Sequence, residues 1–231
     1  DIHCSLVGSE MCIRDRDYKR PFAKDPSIAS AWETENENGV SLSELIKNQR
    51  ITVLIGVSGH EGSFDRNIVR GMMKYTDRPL VFPLSNPTYK SEATPKDLFE
   101  YSDGRVITAT GSPYDNVEYG GKSYRIGQGN NVFIFPGVGL AAILGRFDAI
   151  EPDIFTTAAM ALSECVTADD LNEGAIYPKV ERLREISIYV AKRVLEQHSD
   201  METESGLDPN SLEESIRSIM WSPEYLPYKR V

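Results

Sequence analysis

Residues Ile51 to Thr88 read ITVLIGVSGHEGSFDRNIVRGMMKYTDRPLVFPLSNPT. Ile51 to Val57 is a short apolar, β-branched run that stops at Ser58 and Gly59, the pattern of a buried strand in a parallel sheet. A glycine-containing turn follows from Ser58 to Ser63. Phe64 to Tyr75 then sets Ile68, Val69, Met72 and Met73 on one helical stripe. Arg78-Pro79 breaks that pattern, and Pro79 to Leu84 is a second apolar run, ending in Ser85-Asn86-Pro87-Thr88. The unit is strand, turn, helix, strand. In open α/β sheets ligands bind beyond the carboxyl ends of the strands. That rule places a site at Val57-Ser58-Gly59 and at Ser85-Asn86.

The same alternation continues outward. Before the unit, Ser41 to Asn48 is a short amphipathic helix with Ser41 and Glu44 at capping-box spacing. After it, Thr94 and Pro95 open a helix as N-cap and first helical residue, and Asp103-Gly104 closes it. Arg105 to Thr110 is a third strand, stopped by Gly111-Ser112-Pro113, and Asn116 to Ile126 is a small hairpin around Gly120-Gly121. Gly127 to Leu144 is ambiguous: Val132 to Phe135 suits a strand, or Asn130 or Asn131 opens a helix that Pro136 kinks. The continuation from Gly139 to Leu144 favours mostly helix. Pro152 to Cys165 and Tyr177 to His198 are helices, Ser199 to Pro209 is an acidic linker, Ser211 to Met220 is a last short helix and Trp221 to Val231 an extended aromatic tail.

Strands alternating with helices imply an α/β fold with a parallel sheet. Only three sheet strands are evident, whereas a complete doubly wound nucleotide domain has about six. The expected fold is therefore the second half of a Rossmann-like sheet flanked by helices, over residues 17–150, with a C-terminal helical extension over 151–231. Asp1 to Arg16 stands apart. Leu6 to Arg16, LVGSEMCIRDR, looks like a translated sequencing-adapter end, so 1–16 is expected to be a non-native tail. Asp17 to Glu37 is polar and extended in character, with Pro21 and Pro26 opposing a helix in its first half.

Composition bounds the function. The chain has 231 residues and a formal net charge of −10, which opposes a nucleic-acid or anionic-membrane surface. Three cysteines without CxxC spacing form neither a zinc site nor a disulfide framework. No apolar run approaches a membrane span. A reducing cytoplasm, or an organelle interior, is the default setting.

Asn86 is the sharpest candidate for chemistry. It ends a strand, Pro87 biases it to an extended conformation, and its amide can donate to a carboxylate and accept from a hydroxyl. The competing reading is a plain Asn-Pro turn. Asn130-Asn131, after Gly127-Gln128-Gly129, suits carboxylate binding at a helix start or an ordinary N-cap. Ser58-Gly59 and Gly111-Ser112 end strands where a nucleotide would pass close to the backbone. His60 is a turn residue, Cys165 a core residue, and Asp169-Asp170 act as cap and dipole partners.

These segments resemble a known family. PLSNPT (Pro83 to Thr88), EATP (Glu92 to Pro95), ATGSPY (Ala109 to Tyr114) and GQGNNVFIFPGVGL (Gly127 to Leu140) are closely similar to the NAD-binding domain of malic enzymes, as is IGVSG (Ile55 to Gly59). MWSPEYLP (Met220 to Pro227) resembles the C-terminal tail of the family's bacterial and fungal branch. The resemblance implies conversion of (S)-malate to pyruvate and CO₂ with NAD or NADP, and with Mg²⁺ or Mn²⁺, in a homo-oligomer. It implies that Asn86, Asn130 and Asn131 reach malate, with Asn86 and Asn131 also near the nicotinamide. Val57, Ser58, Gly59 and Gly111 would lie beside the cofactor. The family's catalytic tyrosine and lysine, its acidic metal ligands and its glycine-rich phosphate loop have no counterpart here, so the chain alone is expected to be inactive. Two rivals are a fragment of another Rossmann-type 2-hydroxy acid dehydrogenase and a non-catalytic interaction module.

Overall fold

The computed structural model of the protein describes residues 25–32, 40–198 and 208–221. Local caps set where its helices begin. The first, α1 (Leu42–Asn48), is closed by a complete capping box: the Ser41 hydroxyl accepts from the Glu44 N–H at 3.2 Å, and Glu44 Oε2 accepts from the Ser41 N–H at 2.6 Å. Strand β1 (Val53–Gly56) leads to α2 (Arg66–Met72), whose N-cap Asp65 accepts from the Ile68 N–H at 2.9 Å. Strand β2 (Leu80–Pro83) precedes α3 (Pro95–Tyr101), which has Thr94 as its cap and Pro95 in its first turn, as expected. Strand β3 (Ile107–Thr110) follows, then the hairpin β4 (Val117–Tyr119) and β5 (Lys122–Tyr124).

Among the described residues the sheet has four strands, one more than the sequence shows. The addition is β6 (Gly127–Gln128), which pairs in parallel with β3 through Ala109↔Gly127 and Thr110↔Gln128. The order is β1-β2-β3-β6, and β1 and β2 pair in parallel from Val53↔Leu80 to Gly56↔Pro83. Two residues beginning with glycine carry no β signal of their own, so the neighbouring strand creates this one. The result is an α/β fold: a parallel sheet flanked by helices, consistent with part of a Rossmann-like domain.

Strand β1 departs from the fully buried strand expected of it. Leu54 and Gly56 are buried, while Val53 and Ile55 are 48% and 43% exposed. It is the first strand in the sheet order, and among the described residues no strand pairs with its outer edge. The covered face of the sheet holds the core, in which Ile46 of α1, Met72 of α2, Val81 of β2 and Leu98 of α3 pack together.

Beyond β6 the chain forms α4 (Phe135–Gly145), α5 (Pro152–Glu164), α6 (Ala168–Asn172), α7 (Leu183–His198) and α8 (Leu212–Ile219). The described residues fall into two compact units, one within Asp1–Asn130 and Asp169–Tyr177, the other within Asn131–Ala168 and Pro178–Val231. The first unit is thus discontinuous in sequence. Arg125, just after β5, returns to the second segment of that unit. It pairs with Asp170 through Nη2, and its Nε donates to Glu173 at 2.7 Å. Asp170 therefore does more than favour a helix start: it is a buried ion-pair partner.

In the second unit α7 is the central helix, burying Ile186, Val190, Ala191 and Val194. Helix α5 lies against it, with the Tyr189 hydroxyl donating to Glu164 at 2.6 Å. The expected long helix from Tyr177 is divided, a 3-10 turn at Val180–Arg182 preceding α7. Among the described residues no helix is long and apolar enough to cross a membrane. Expectations for 1–24, 33–39, 199–207 and 222–231, including the non-native tail and most of the C-terminal motif, lie outside the described residues.

Leu98 is fully buried in the first core. Leu98→Ala is expected to cost about 2–5 kcal/mol, read as a lower urea midpoint with an unchanged slope.

Candidate functional site

Parallel pairing aligns the carboxyl ends of the strands. The Leu84 N–H donates to Gly56 O at 2.8 Å, the Gly111 N–H to Pro83 O at 3.2 Å and the Gly129 N–H to Thr110 O at 2.8 Å. Val57-Ser58-Gly59, Ser85-Asn86, Gly111-Ser112 and Gly129 consequently form one rim on the first unit. Asn130 comes next in the chain and is half-buried. Asn131 belongs to the second unit, where it opens a 3-10 turn, Asn131–Phe133. Neither asparagine is the N-cap of α4: that position is Ile134, without a side-chain cap, and Pro136 lies in the first turn of the helix rather than kinking its middle.

The Asn86 side chain is oriented by Ser112. The Ser112 hydroxyl donates to Asn86 Oδ1 at 2.5 Å, and Nδ2 makes only a long 3.4 Å contact with Leu84 O. This network assigns the amide orientation. The acceptor half is committed to Ser112, and an exposed side chain presents its N–H groups to solvent. A group of that polarity fits a carboxylate or a carboxamide oxygen. Gly111 lets the arrangement form. A Cβ there would lie 2.1 Å from Leu84 O and 3.0 Å from Asn86 Nδ2. Its lack of a side chain is thus required by the protein's own strand end, before any nucleotide is considered.

Val57 is 71% exposed at the end of β1 and offers an apolar surface. Ser58 and Gly59 are differently engaged. Both turn inward to Glu92, which accepts from the Ser58 N–H at 2.7 Å and the Ser58 hydroxyl at 2.9 Å. Gly59, at φ +69°, donates to Ser85 Oγ at 2.9 Å. Glu92 is 0% exposed. Burial alone would push its carboxyl up, but hydrogen bonds from Ser85, from its own backbone and from Ser58 hold it below the ordinary glutamate value.

Other candidates contribute less. His60 is an exposed turn residue, and Cys165 is buried, its thiol pushed up by desolvation. Among the described residues no group of three or more His, Cys, Asp or Glu is arranged to hold a metal ion. A cleft of about 530 Å³ in the second unit is lined by charges already matched, such as Arg217 with Glu213 at 2.7 Å and Arg182 with Glu185 at 3.5 Å. The Tyr114 hydroxyl, beyond Ser112, is buried and makes no hydrogen bond among the described residues.

The segments that make this rim are among those that resemble malic enzymes, and comparison with known proteins shows the same family. The family model for the malic enzyme NAD-binding domain matches residues 6–199. The chain belongs to the malic enzyme family. It is 37% identical to an NAD-dependent malic enzyme of Proteus mirabilis (strain HI4320), over 93% of this chain and 38% of that protein. Similar proteins with the same description occur in Photorhabdus laumondii subsp. laumondii, at 35% identity, and in Aliivibrio fischeri (strain ATCC 700601 / ES114), at 37%, with the same shares covered. The chain spans 38% of the length of the curated relatives that it matches.

Sequence reasoning missed Ser112 as the residue that orients Asn86, and it missed Glu92. Ser112 had one available signal, its place at the end of a strand next to the strand of Asn86. Glu92 opens the EATP segment that carries the resemblance, but nothing local points to a role for its carboxylate.

Two outcomes follow from this geometry. Because the folded pKa of Glu92 is depressed, its contribution to stability is present above the ordinary glutamate range of about pH 4.3 and is lost as pH falls through the folded value. Glu92→Gln should cost about 1–3 kcal/mol at pH 7, since the charge-assisted bonds to Oε1 become neutral ones and the new NH₂ faces the Ser85 N–H at the Oε2 position. Urea unfolding at pH 7 and pH 3 should show the wild-type advantage shrinking in acid. Tyr114→Phe removes an unpartnered buried hydroxyl and should leave the melting temperature unchanged or raised.

Proposed function

We propose that the chain is the C-terminal part of an NAD-dependent malic enzyme, acting on (S)-malate + NAD⁺ to give pyruvate + CO₂ + NADH. The observation carrying this reading is the Asn86 amide, held by Ser112 so that its donors face outward at the end of β2. Those donors orient a malate carboxylate or the carboxamide of the nicotinamide. Val57 supplies apolar surface beside the ring, Gly59 and Gly111 line the cofactor side of the rim, and Asn130 adds an amide for malate, a role that the resemblance also gives to Asn131. Ser58 shapes this wall through its bonds to Glu92 rather than as a free hydroxyl. Bound NAD⁺ supplies the hydride acceptor for C2 of malate.

The divalent metal of this reaction, Mg²⁺ or Mn²⁺, has no ligand set among the described residues. In the same reading, residues 17–150 are the chain's share of the cofactor domain, 151–231 are its helical extension and 1–16 are non-native. The intact enzyme is a cytoplasmic homo-oligomer that uses NAD in preference to NADP. The chain alone does not turn over malate, because the resemblance assigns its acid, base and metal ligands to residues that have no match in it.

The purified chain with malate, Mn²⁺ and NAD⁺ should give no increase in absorbance at 340 nm, and measurable NADH formation would refute the inactivity. NAD⁺ should bind by calorimetry. In its presence Asn86→Asp, which replaces the donors with a carboxylate, should weaken malate binding about tenfold or more. Unchanged malate affinity would remove Asn86 from the site.

A further inference from the structure

Glu92 joins two loops that the reading above places on one wall of the site, and that reading gives it no role in binding. It belongs to neither strand. It follows the 3-10 turn Thr88–Lys90 and returns beneath the ends of β1 and β2. Its Oε1 accepts from the Ser58 N–H at 2.7 Å, the Ser58 hydroxyl at 2.9 Å and the Ser85 hydroxyl at 2.6 Å, with the Gly59 N–H at 3.3 Å. The Ser85 N–H reaches Oε2 at 3.4 Å. Ser85 Oγ also accepts from the Gly59 N–H at 2.9 Å, so the two strand ends are tied to the carboxylate and to each other.

Backbone geometry leaves room for this group. A Cβ on Gly56 would lie 2.6 Å from Glu92 Cδ. Among the described residues the groups donating to the carboxylate are neutral, so its charge is held by converging dipoles. Filling the same volume with an apolar side chain would avoid the cost of desolvating a charge. An acceptor that collects donors from both strand ends does what an apolar side chain does not: it fixes their separation and the direction of each loop.

We infer that Glu92 is a positioning residue of the cofactor-facing wall, acting through Ser58, Gly59 and Ser85 to hold Val57 and Asn86 at the spacing that NAD⁺ and malate require. This rests on the function proposed above. Groups that orient metal ligands from behind change affinity or activity about 10–100-fold when removed, and a carboxylate that orients binding loops acts by the same means.

The test uses the full chain, isotopically labelled, with NAD⁺ titration and amide hydrogen exchange as readouts. Glu92→Gln should raise the NAD⁺ dissociation constant about tenfold or more, and should speed exchange at Ser58 and Gly59 by clearly more than at the central-strand amide of Val81, whose protection falls only with the global stability. Glu92→Asp keeps the charge but is one methylene short, and should recover less than about a third of the lost affinity. Ser85→Ala removes one donor and leaves the carboxylate, so it serves if Glu92→Gln does not fold. It should weaken NAD⁺ binding about threefold, with the same local loss of protection. Wild-type NAD⁺ affinity in both Glu92→Gln and Ser85→Ala would overturn the role of Glu92. Equal loss of protection at Val81 would overturn it too, since that marks global destabilisation. A wild-type chain that binds no NAD⁺ would instead overturn the cofactor-wall reading itself, whatever Glu92 does to the loops.

Discussion

A buried carboxylate is tolerated only where donors converge on it, and Glu92 meets that condition with groups from two neighbouring strand ends. Parallel strands deliver their carboxyl ends to one edge, but nothing in a sheet ladder dictates how the chain leaves that edge. The exits of β1 and β2 are settled by a side chain from outside both strands. The serines beside it are consequently structural as well as local to the site. An exposed rim of defined shape depends here on an interaction that solvent does not reach.

Asn86 illustrates the same logic one strand further along. Its amide has two faces of opposite polarity, and position alone leaves either one available. Ser112, at the end of β3, takes the acceptor face, and Gly111 lets β2 come close enough for that contact. Two adjacent residues of the sheet edge thus reduce a versatile side chain to one polarity. The binding preference comes from the neighbours as much as from the asparagine itself.

The parts of the fold that were legible in sequence are those whose causes are local. Ser41 with Glu44 and Thr94 with Pro95 close helices within a few residues, so their patterns could be read directly. Strand β6 could not, because Gly127 and Gln128 are extended only through pairing with β3. The exposed face of β1 was also out of reach, since a continuous apolar run does not reveal whether a neighbour covers both of its faces. The location of the candidate site followed from strand ends, but its wiring did not. Ser112 lies 26 residues from Asn86, and Glu92 lies 34 residues from Ser58, so no window along the chain holds both partners.

The pairing of Arg125 with Asp170 bears on how the protein reaches its structure. These residues are 45 apart, and the intervening chain contributes α4 and α5 to the other compact unit. Closing a loop of that length costs about 3 kcal/mol of chain entropy before any contact repays it. Helix formation in α4 and α5 shortens that excursion and so lowers the cost of joining the α6 segment to the first unit. A discontinuous unit makes the assembly of one half depend on local order in the other, even though each has its own core. A lesion in the intervening helices can thus surface as a defect in the sheet-bearing unit, far along the chain from where it was made.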